Sequence, residues 1–298
     1  MNSTVRAYVD LTRAHFAFAW PLLFCSGTFL ALSAYGGFSW SLVIRAALIG
    51  LFGFEAGLVL NDYVDRVLDR RDVEKDRLTG YWRLFGTRPL PEGLIPETHA
   101  LILFLALAGL TSALILTLPF PHSCYVLILM AYAYVVEYSY QVIKRRQSLP
   151  TAQLVGRTDF ALFPVAGYLA AGTPDITAIL FFAFFYPFAM AHLGVNDLVD
   201  LKNDLARGMK SVTVLYGESG TFRWIALFTL AHILLAVVFL TRLGMVAWIG
   251  FAAGFLLLIT ALWMIRKEIG PVSALRALPL FHVTMILYSL SILLDSVL

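Results

Sequence analysis

Apolar residues in this chain gather into runs of about twenty, long enough to cross a bilayer as helices. Nine such runs lie at about 15–35, 41–60, 98–119, 122–142, 155–172, 176–196, 222–241, 243–265 and 278–297. The run at 155–172 is the weakest, because Asp159 and Pro164 interrupt it. In lipid each span must satisfy its own backbone polar groups, so the pattern predicts an all-α membrane protein of about nine transmembrane helices. One membrane domain then accounts for residues 1–298. The first run lacks a small-residue cleavage pattern and is read as a retained span.

Two connections are long enough to hold structure of their own, 70–97 and 205–221. Both fall on the same side of the predicted topology, and loops of that length often act as lids. The connections on the other side are very short.

Composition agrees with a membrane protein. Hydrophobic residues make up 60% of the 298 and charged residues 14%, against about 25% charged in a soluble domain. Mean hydropathy is +0.80. With the N-terminus cytoplasmic, 20 of the 22 Lys and Arg fall at the N-terminus or on the even-numbered connections, and only Arg45 and Arg242 fall opposite. That asymmetry follows the positive-inside rule and places the C-terminus outside. The net charge of +3 is therefore a topology signal, with no basic arm or reading motif for nucleic acid. Cys25 and Cys124 lie in or beside apolar runs and read as small buried hydrophobes, with no disulfide implied.

Candidate chemistry begins with a nine-residue element that occurs twice. Asn61-Asp62-Tyr63-Val64-Asp65-Arg66-Val67-Leu68-Asp69 and Asn196-Asp197-Leu198-Val199-Asp200-Leu201-Lys202-Asn203-Asp204 both read N-D-x-V-D-x-x-x-D. On a helix, Asp62, Asp65 and Asp69 lie at about 100°, 40° and 80° from Asn61, within one stripe. Asn196, Asp197, Asp200 and Asp204 repeat the spacing, and both spans run toward the cytoplasm. Clustered carboxylates repel one another unless a cation sits among them, and hard oxygen donors suit Mg²⁺, which commonly bridges to substrate phosphates. Asn61, Asp62, Asp65, Asp69, Asp197, Asp200 and Asp204 are the candidate metal ligands. Solvated helix ends paired with neighbouring Arg are the plainer alternative.

Tyr140 and Lys144, one turn apart at the end of the fourth run, read as a pair facing a polar pocket. Lys144, Arg145, Arg88 and Lys210 are candidate diphosphate ligands with Asn61 and Asn196, since Lys offers a point charge and Arg a fork. Asp65, Asp200, Tyr140 and Lys144 are the candidate catalytic residues. Asp159, Glu137 and His192 could reach the same pocket, or Asp159 could simply pair with Arg157. Phe181, Phe182, Phe184, Phe185 and Tyr186 read mostly as lipid-facing or packing residues.

With these elements the chain resembles the UbiA superfamily of intramembrane prenyltransferases. The resemblance rests on the nine runs, the two aspartate elements, Tyr140-x-x-x-Lys144-Arg145 and Arg88-Pro89-Leu90. It implies a helical bundle around a central cavity, capped by 70–97 and 205–221 on the cytoplasmic side. It also implies two Mg²⁺ ions holding an isoprenyl diphosphate, whose prenyl group passes to a lipophilic acceptor: an aromatic quinone precursor or a glycerol-phosphate lipid. One departure is that Arg70–Thr87 is longer and more charged than the family commonly has between the first motif and the Arg-Pro segment. The reading from another class is a cation-coupled transporter using the paired Asp motifs, which midplane carboxylates would favour.

The charge split makes orientation testable. Single cysteines placed in 70–97 and at the C-terminus should label from opposite sides in intact cells. Equal labelling from outside would overturn the assignment.

Overall fold

The computed structural model describes residues 2–74 and 77–298, and every regular element among them is helical. Lys75, one of the basic residues of the 70–97 connection, lies outside the described residues. In chain order the helices are α1 (Ser3–Leu11), α2 (Ala19–Tyr35) preceded by a 3₁₀ turn at Ala14–Phe16, α3 (Trp40–Asp69), α4 (Arg77–Trp82), α5 (Glu97–Leu116), α6 (His122–Ile143), α7 (Thr151–Gly156), α8 (Thr158–Leu169), α9 (Ile176–Val199), α10 (Leu201–Arg207), α11 (Val212–Leu240), α12 (Met245–Lys267) and α13 (Pro271–Val297).

Eight of them, with α2 counted from its 3₁₀ turn, are long and apolar enough to cross a membrane among the described residues. The ninth predicted span is the difference. The run at 155–172 folds as the short helices α7 and α8, which meet at Arg157. The 12 residues of α8 reach about 18 Å, well short of a ~30 Å hydrocarbon layer. Charge at Arg157 and Asp159 ends the apolar stretch where a full span would need it to continue. The chain still changes ends there. Lys144, after α6, lies 3.1 Å from Asp65 at the last turns of α3. Asp175, before α9, accepts the Tyr35 hydroxyl at 2.6 Å beside the far end of α2.

Packing follows chain order and closes on itself, with α13 returning to α2. The outer helices α5, α6, α11 and α12 expose Leu, Ile and Val side chains, as a lipid-facing surface requires. Phe181, Phe184 and Phe185 are fully buried and stack toward Phe239 and Phe251, so they pack the bundle instead of facing lipid. Cys25 is buried as expected. Cys124 is exposed on α6, which overturns its reading as a buried residue; both are free thiols.

The short α8 is held deep in the bundle by backbone contact with α2. A Cβ on Gly167 would lie 1.9 Å from the Phe24 carbonyl oxygen, and one on Gly27 would lie 2.0 Å from the Pro164 carbonyl oxygen. Small residues at a membrane helix crossing allow this approach. Thr28 Oγ1 donates to the Gly167 carbonyl at 2.9 Å, giving the end of α8 a partner.

The 205–221 segment is mostly helix. It comprises the end of α10, a short connection around Gly208 and the start of α11, with a break at Gly217 (φ 70°). The 70–97 segment contains α4.

Gly167→Leu should therefore lower the thermal midpoint of the purified protein, since forcing volume into packed backbone costs about 1–3 kcal/mol or more. Gly109→Leu, where a Cβ meets nothing within 4 Å, should leave it nearly unchanged. Equal midpoints for the two variants would contradict the α2–α8 crossing.

Candidate active site

The first aspartate element occupies the last turns of α3, as its spacing predicts. A helix of 30 residues is about 45 Å long and overshoots the hydrocarbon layer, so Asn61–Asp69 can sit at the membrane's edge. The second element differs from expectation. Its stripe is not one continuous helix, because α9 ends at Val199, Asp200 is the junction residue (φ −91°, ψ 9°), and Asp204 sits on α10. The Asp200 N–H still reaches the Asn196 carbonyl at 2.9 Å, and the Asp204 N–H reaches the Asp200 carbonyl at 2.9 Å. These two bonds bracket the bend. The bend also keeps Asp197, Asp200 and Asp204 on one wall.

Both elements face a single cavity of about 190 Å³. Of the sequence candidates, Asn61, Asp62, Asp65, Asp69, Arg88, Tyr140, Lys144, Asn196, Asp197, Asp200 and Asp204 all line it. Two do not. Lys210 is exposed, and only its backbone is engaged: its N–H donates to the Lys144 carbonyl at 2.8 Å, and its carbonyl accepts from the Gln147 side chain at 2.7 Å and the Gln153 side chain at 3.1 Å. It follows the left-handed turn at Gly208 (φ 72°), which carries its side chain outward. Arg145 is not on the cavity wall and reaches Asp65 only from its rim, at 3.4 Å with about a third of its side chain exposed. Arg146 is exposed. Tyr140 packs its ring against Gly156, where a Cβ would lie 2.6 Å from the ring, and carries Lys144 Nζ at 4.7 Å over its face.

A lattice of ion pairs holds the carboxylates in place. Arg88 lies 2.6 Å from Asp69 and also binds Asp72, a buried carboxylate just past the first element. Arg207 of α10 reaches Asp69 at 3.4 Å, Asp200 at 3.3 Å and Asp72, so one guanidinium ties the two elements together. Asp62 is held by Arg13 at 3.0 Å and Arg83 at 2.7 Å. Two guanidinium groups thus occupy this candidate metal ligand, and it is committed to structure more than its neighbours. Arg13 itself has φ 47°, a left-handed conformation that costs about 1–2 kcal/mol in a non-glycine residue.

The long 70–97 segment is what brings Arg83 in. Buried Asp10 of α1 accepts the N–H groups of Phe85 at 2.9 Å and Thr87 at 2.8 Å, while its carbonyl accepts from Arg83 at 2.9 Å. On the other side, Asn203 of α10 accepts the N–H groups of Val73 and Glu74 and donates to Asp200 at 2.8 Å. The segment is clipped to both aspartate elements.

Sequence reasoning missed Asp10, Asp72, Arg13, Arg83, Arg207, Asn203 and Trp82. Most of their partners are distant in sequence, from 21 positions for Arg83 and Asp62 to 135 for Arg207 and Asp72, and no local spacing announces them. Asp72, only three residues past Asp69, was the one within reach of a pattern search.

Burial first, and then the charges of Asp197 and Asp200, push the Asp204 carboxyl up to about 8. A cation between the elements would relieve that repulsion. Among the described residues, no three His, Cys, Asp or Glu side chains converge closely enough to hold a metal alone. The donor set is nevertheless of the right kind for a hard cation that keeps waters and shares a phosphate. It offers carboxylates from two walls, and the buried Oδ1 of Asn196 has no partner.

Deeper in the bundle, a second cavity of about 270 Å³ shares Arg13, Asn61, Trp82, Arg157 and Asn196 with the first. Its walls are aromatic: Trp20 stacks on Phe54 at 3.7 Å, joined by Phe160 and Phe163. Glu137, Asp159 and His192 line it together with His282, whose Nε2 lies 3.0 Å from that of His192. No ion pair forms between Asp159 and Arg157 among the described residues, so that simpler explanation of Asp159 does not hold. A third space of about 60 Å³, lined largely by Leu, Ile, Phe and Val, continues from Gly53, Tyr134, Asp159 and Phe163 toward the far side.

The UbiA prenyltransferase family model matches residues 18–289. A 4-hydroxybenzoate octaprenyltransferase of Marinomonas sp. (strain MWYL1) is 31% identical over 260 residues, 84% of this chain and 80% of that protein. Another from Tolumonas auensis is 29% identical over 231 residues, 77% and 71% of the two chains. Among solved structures, a UbiA homologue from Aeropyrum pernix K1 has the same fold, with TM-score 0.75 at 19% identity over 95% of this chain and 98% of that one. One from Archaeoglobus fulgidus, bound to GPP and Mg²⁺, follows at 0.69 and 15%, over 96% and 99%. A family model spanning nearly the whole chain, on top of two aspartate elements facing one cavity, makes this chain a multi-pass membrane enzyme of the UbiA prenyltransferase family.

Proposed function

We propose that this enzyme uses Mg²⁺ to move a prenyl group from an isoprenyl diphosphate to a hydroxylated aromatic acceptor, with release of diphosphate. The observation that carries the reading is that the aspartate-lined cavity adjoins an aromatic-walled one, with Arg13, Asn61, Trp82, Arg157 and Asn196 on the walls of both. The diphosphate and the reactive carbon meet the acceptor at that junction. An aromatic acceptor fits walls of Trp20, Phe54, Phe160 and Phe163 better than a glycerol-phosphate headgroup does. The named function of the 4-hydroxybenzoate octaprenyltransferases supports the same choice. The ion-coupled transporter reading needs carboxylates near mid-depth, whereas the first element closes a 30-residue helix.

Charge explains the need for metal. Six carboxylates and six Lys or Arg side chains line the first cavity, so their formal charges cancel. A multiply charged diphosphate then requires added positive charge. Asp65, Asp69, Asp200 and Asp204, with Asn61 and Asn196, would hold two Mg²⁺ ions, which when bound supply Lewis-acid stabilisation of the departing diphosphate. Asp197 accepts the Val212 N–H at 2.8 Å and supports that wall.

The chain's own groups do the rest. Lys144, held by Asp65 and the Tyr140 face, would turn its ammonium onto the bound diphosphate. Its charge gains value as the C–O bond breaks and negative charge grows. Arg88 and Arg207 hold Asp69 in place and limit the reorganisation needed. The segment carrying Trp82 and Arg83 covers the cavity and keeps water from the allylic cation. The prenyl tail runs into the apolar third space. The positive-inside pattern places this chemistry on the cytoplasmic side, with the N-terminus cytoplasmic and the C-terminus outside.

Asp65→Ala and Asp200→Ala should each abolish prenyl transfer while the helical circular dichroism spectrum stays near wild type. A chelator should stop the wild-type reaction and added Mg²⁺ restore it. Near-normal turnover of both variants at saturating substrate would sink the two-element site. Lys144→Ala should lower kcat by about 10²–10³, the usual effect of removing one charge-stabilising donor. Arg146→Ala removes the same charge from the exposed side and should change kcat less than about twofold. Equal losses would make Lys144 a topology residue.

A further inference from the structure

Five of the six cations on the wall of the first cavity already have carboxylate partners. Arg13, Arg83, Arg88, Lys144 and Arg207 each lie within 3.1 Å of one. Arg157 is the exception. Among the described residues it has no carboxylate oxygen within 4.0 Å, and its Nε is buried with no hydrogen-bond partner. Its guanidinium lies 5.6 Å from the centre of the Tyr140 ring, a weak contact. The side chain is half-buried, and Asp159, Glu137 and Asp197 act on its charge only from beyond ion-pair distance. A guanidinium on the wall of both cavities with no hydrogen-bonded carboxylate of its own can take one from a ligand.

Its position selects that partner. Arg157 faces both cavities, from the break between α7 and α8. Asp159, two residues on, and Glu137 share the second cavity with it but not the first. A multiply charged diphosphate is repelled by these two acids more strongly than one carboxylate is. A planar carboxylate on an apolar ring can lay its ring along the Trp20 and Phe54 walls, and its two oxygens match the guanidinium fork. The geometry points to Arg157 as an acceptor-specificity residue, binding the carboxylate of a hydroxyaryl acid in the second cavity. This rests on the reading of that cavity as the acceptor site. A neutral acceptor of equal shape leaves the guanidinium desolvated and unpaired, and is selected against.

Equilibrium binding to the purified full-length protein, without prenyl diphosphate, separates the cases. The probes are 4-hydroxybenzoate and its uncharged isostere 4-hydroxybenzamide. Wild type should bind the acid about 10- to 100-fold more tightly than the amide, the range of a charge-assisted hydrogen-bonded pair. Arg157→Gln should bring the ratio near one, and Arg157→Lys should keep part of it. The KM for prenyl diphosphate should stay within about twofold of wild type in both variants. Loss of binding by Arg157→Gln with an altered helical spectrum is a folding defect; the ratio in Arg157→Lys then decides, and a wild-type ratio there overturns the assignment. An unchanged ratio in a folded Arg157→Gln overturns it, as does wild type binding the two probes alike or neither. A prenyl diphosphate KM that rises instead moves Arg157 to the diphosphate and also overturns it. Selective acid binding without Mg²⁺-dependent transfer would defeat the proposed reaction and leave this assignment standing.

Discussion

Everything at the active end depends on one constraint, which is that six carboxylates, five of them buried, must be held around one cavity without driving it apart. Lone carboxylates there are expensive and drift toward the neutral form. This chain offsets the cost with guanidinium groups brought from elsewhere. Arg207 spans Asp69, Asp72 and Asp200, and Arg88 holds Asp69 and Asp72. Such pairs contribute little net stability against burying hydrophobic residues instead. What they provide is position, because a fork bonded to two helices fixes how those helices sit. The formal charges on the cavity wall then cancel, which is the ground for the proposed metal.

The interrupted fifth segment serves the same end. A continuous span would have carried an apolar face through this depth. Two short helices instead place Arg157 and Asp159 beside the reaction cavity, and the glycine contact of α8 with α2 holds that break deep in the bundle. The polar break and the tight backbone crossing are adjacent parts of one device.

The lengthened segment between the first element and Arg88 has its own logic. Asp10 pins the turn after α4, and Asn203 pins its beginning. Trp82 thereby lines both cavities, and Arg83 reaches Asp62. The segment is fastened to both aspartate elements.

The sequence alone was enough to recognise a helical membrane protein, its apolar runs and its two aspartate stripes, because hydropathy and helical period are local properties. It also named eleven of the 23 residues on the cavity wall, from Asn61 to Asp204, since residues one turn apart share a face wherever the helix goes. Lys210 and Arg145 were misplaced where a turn or a helix end, and not periodicity, aims the side chain. The bend at Asp200 and the splitting of the fifth span escaped for a related reason. Each depends on partners that satisfy the backbone across the bundle, such as Thr28 at the end of α8. The tertiary structure alone decided which arginine meets which aspartate. Arg13, Arg83 and Arg207 lie far along the chain from their partners, and only packing reveals that Arg157 is left without one.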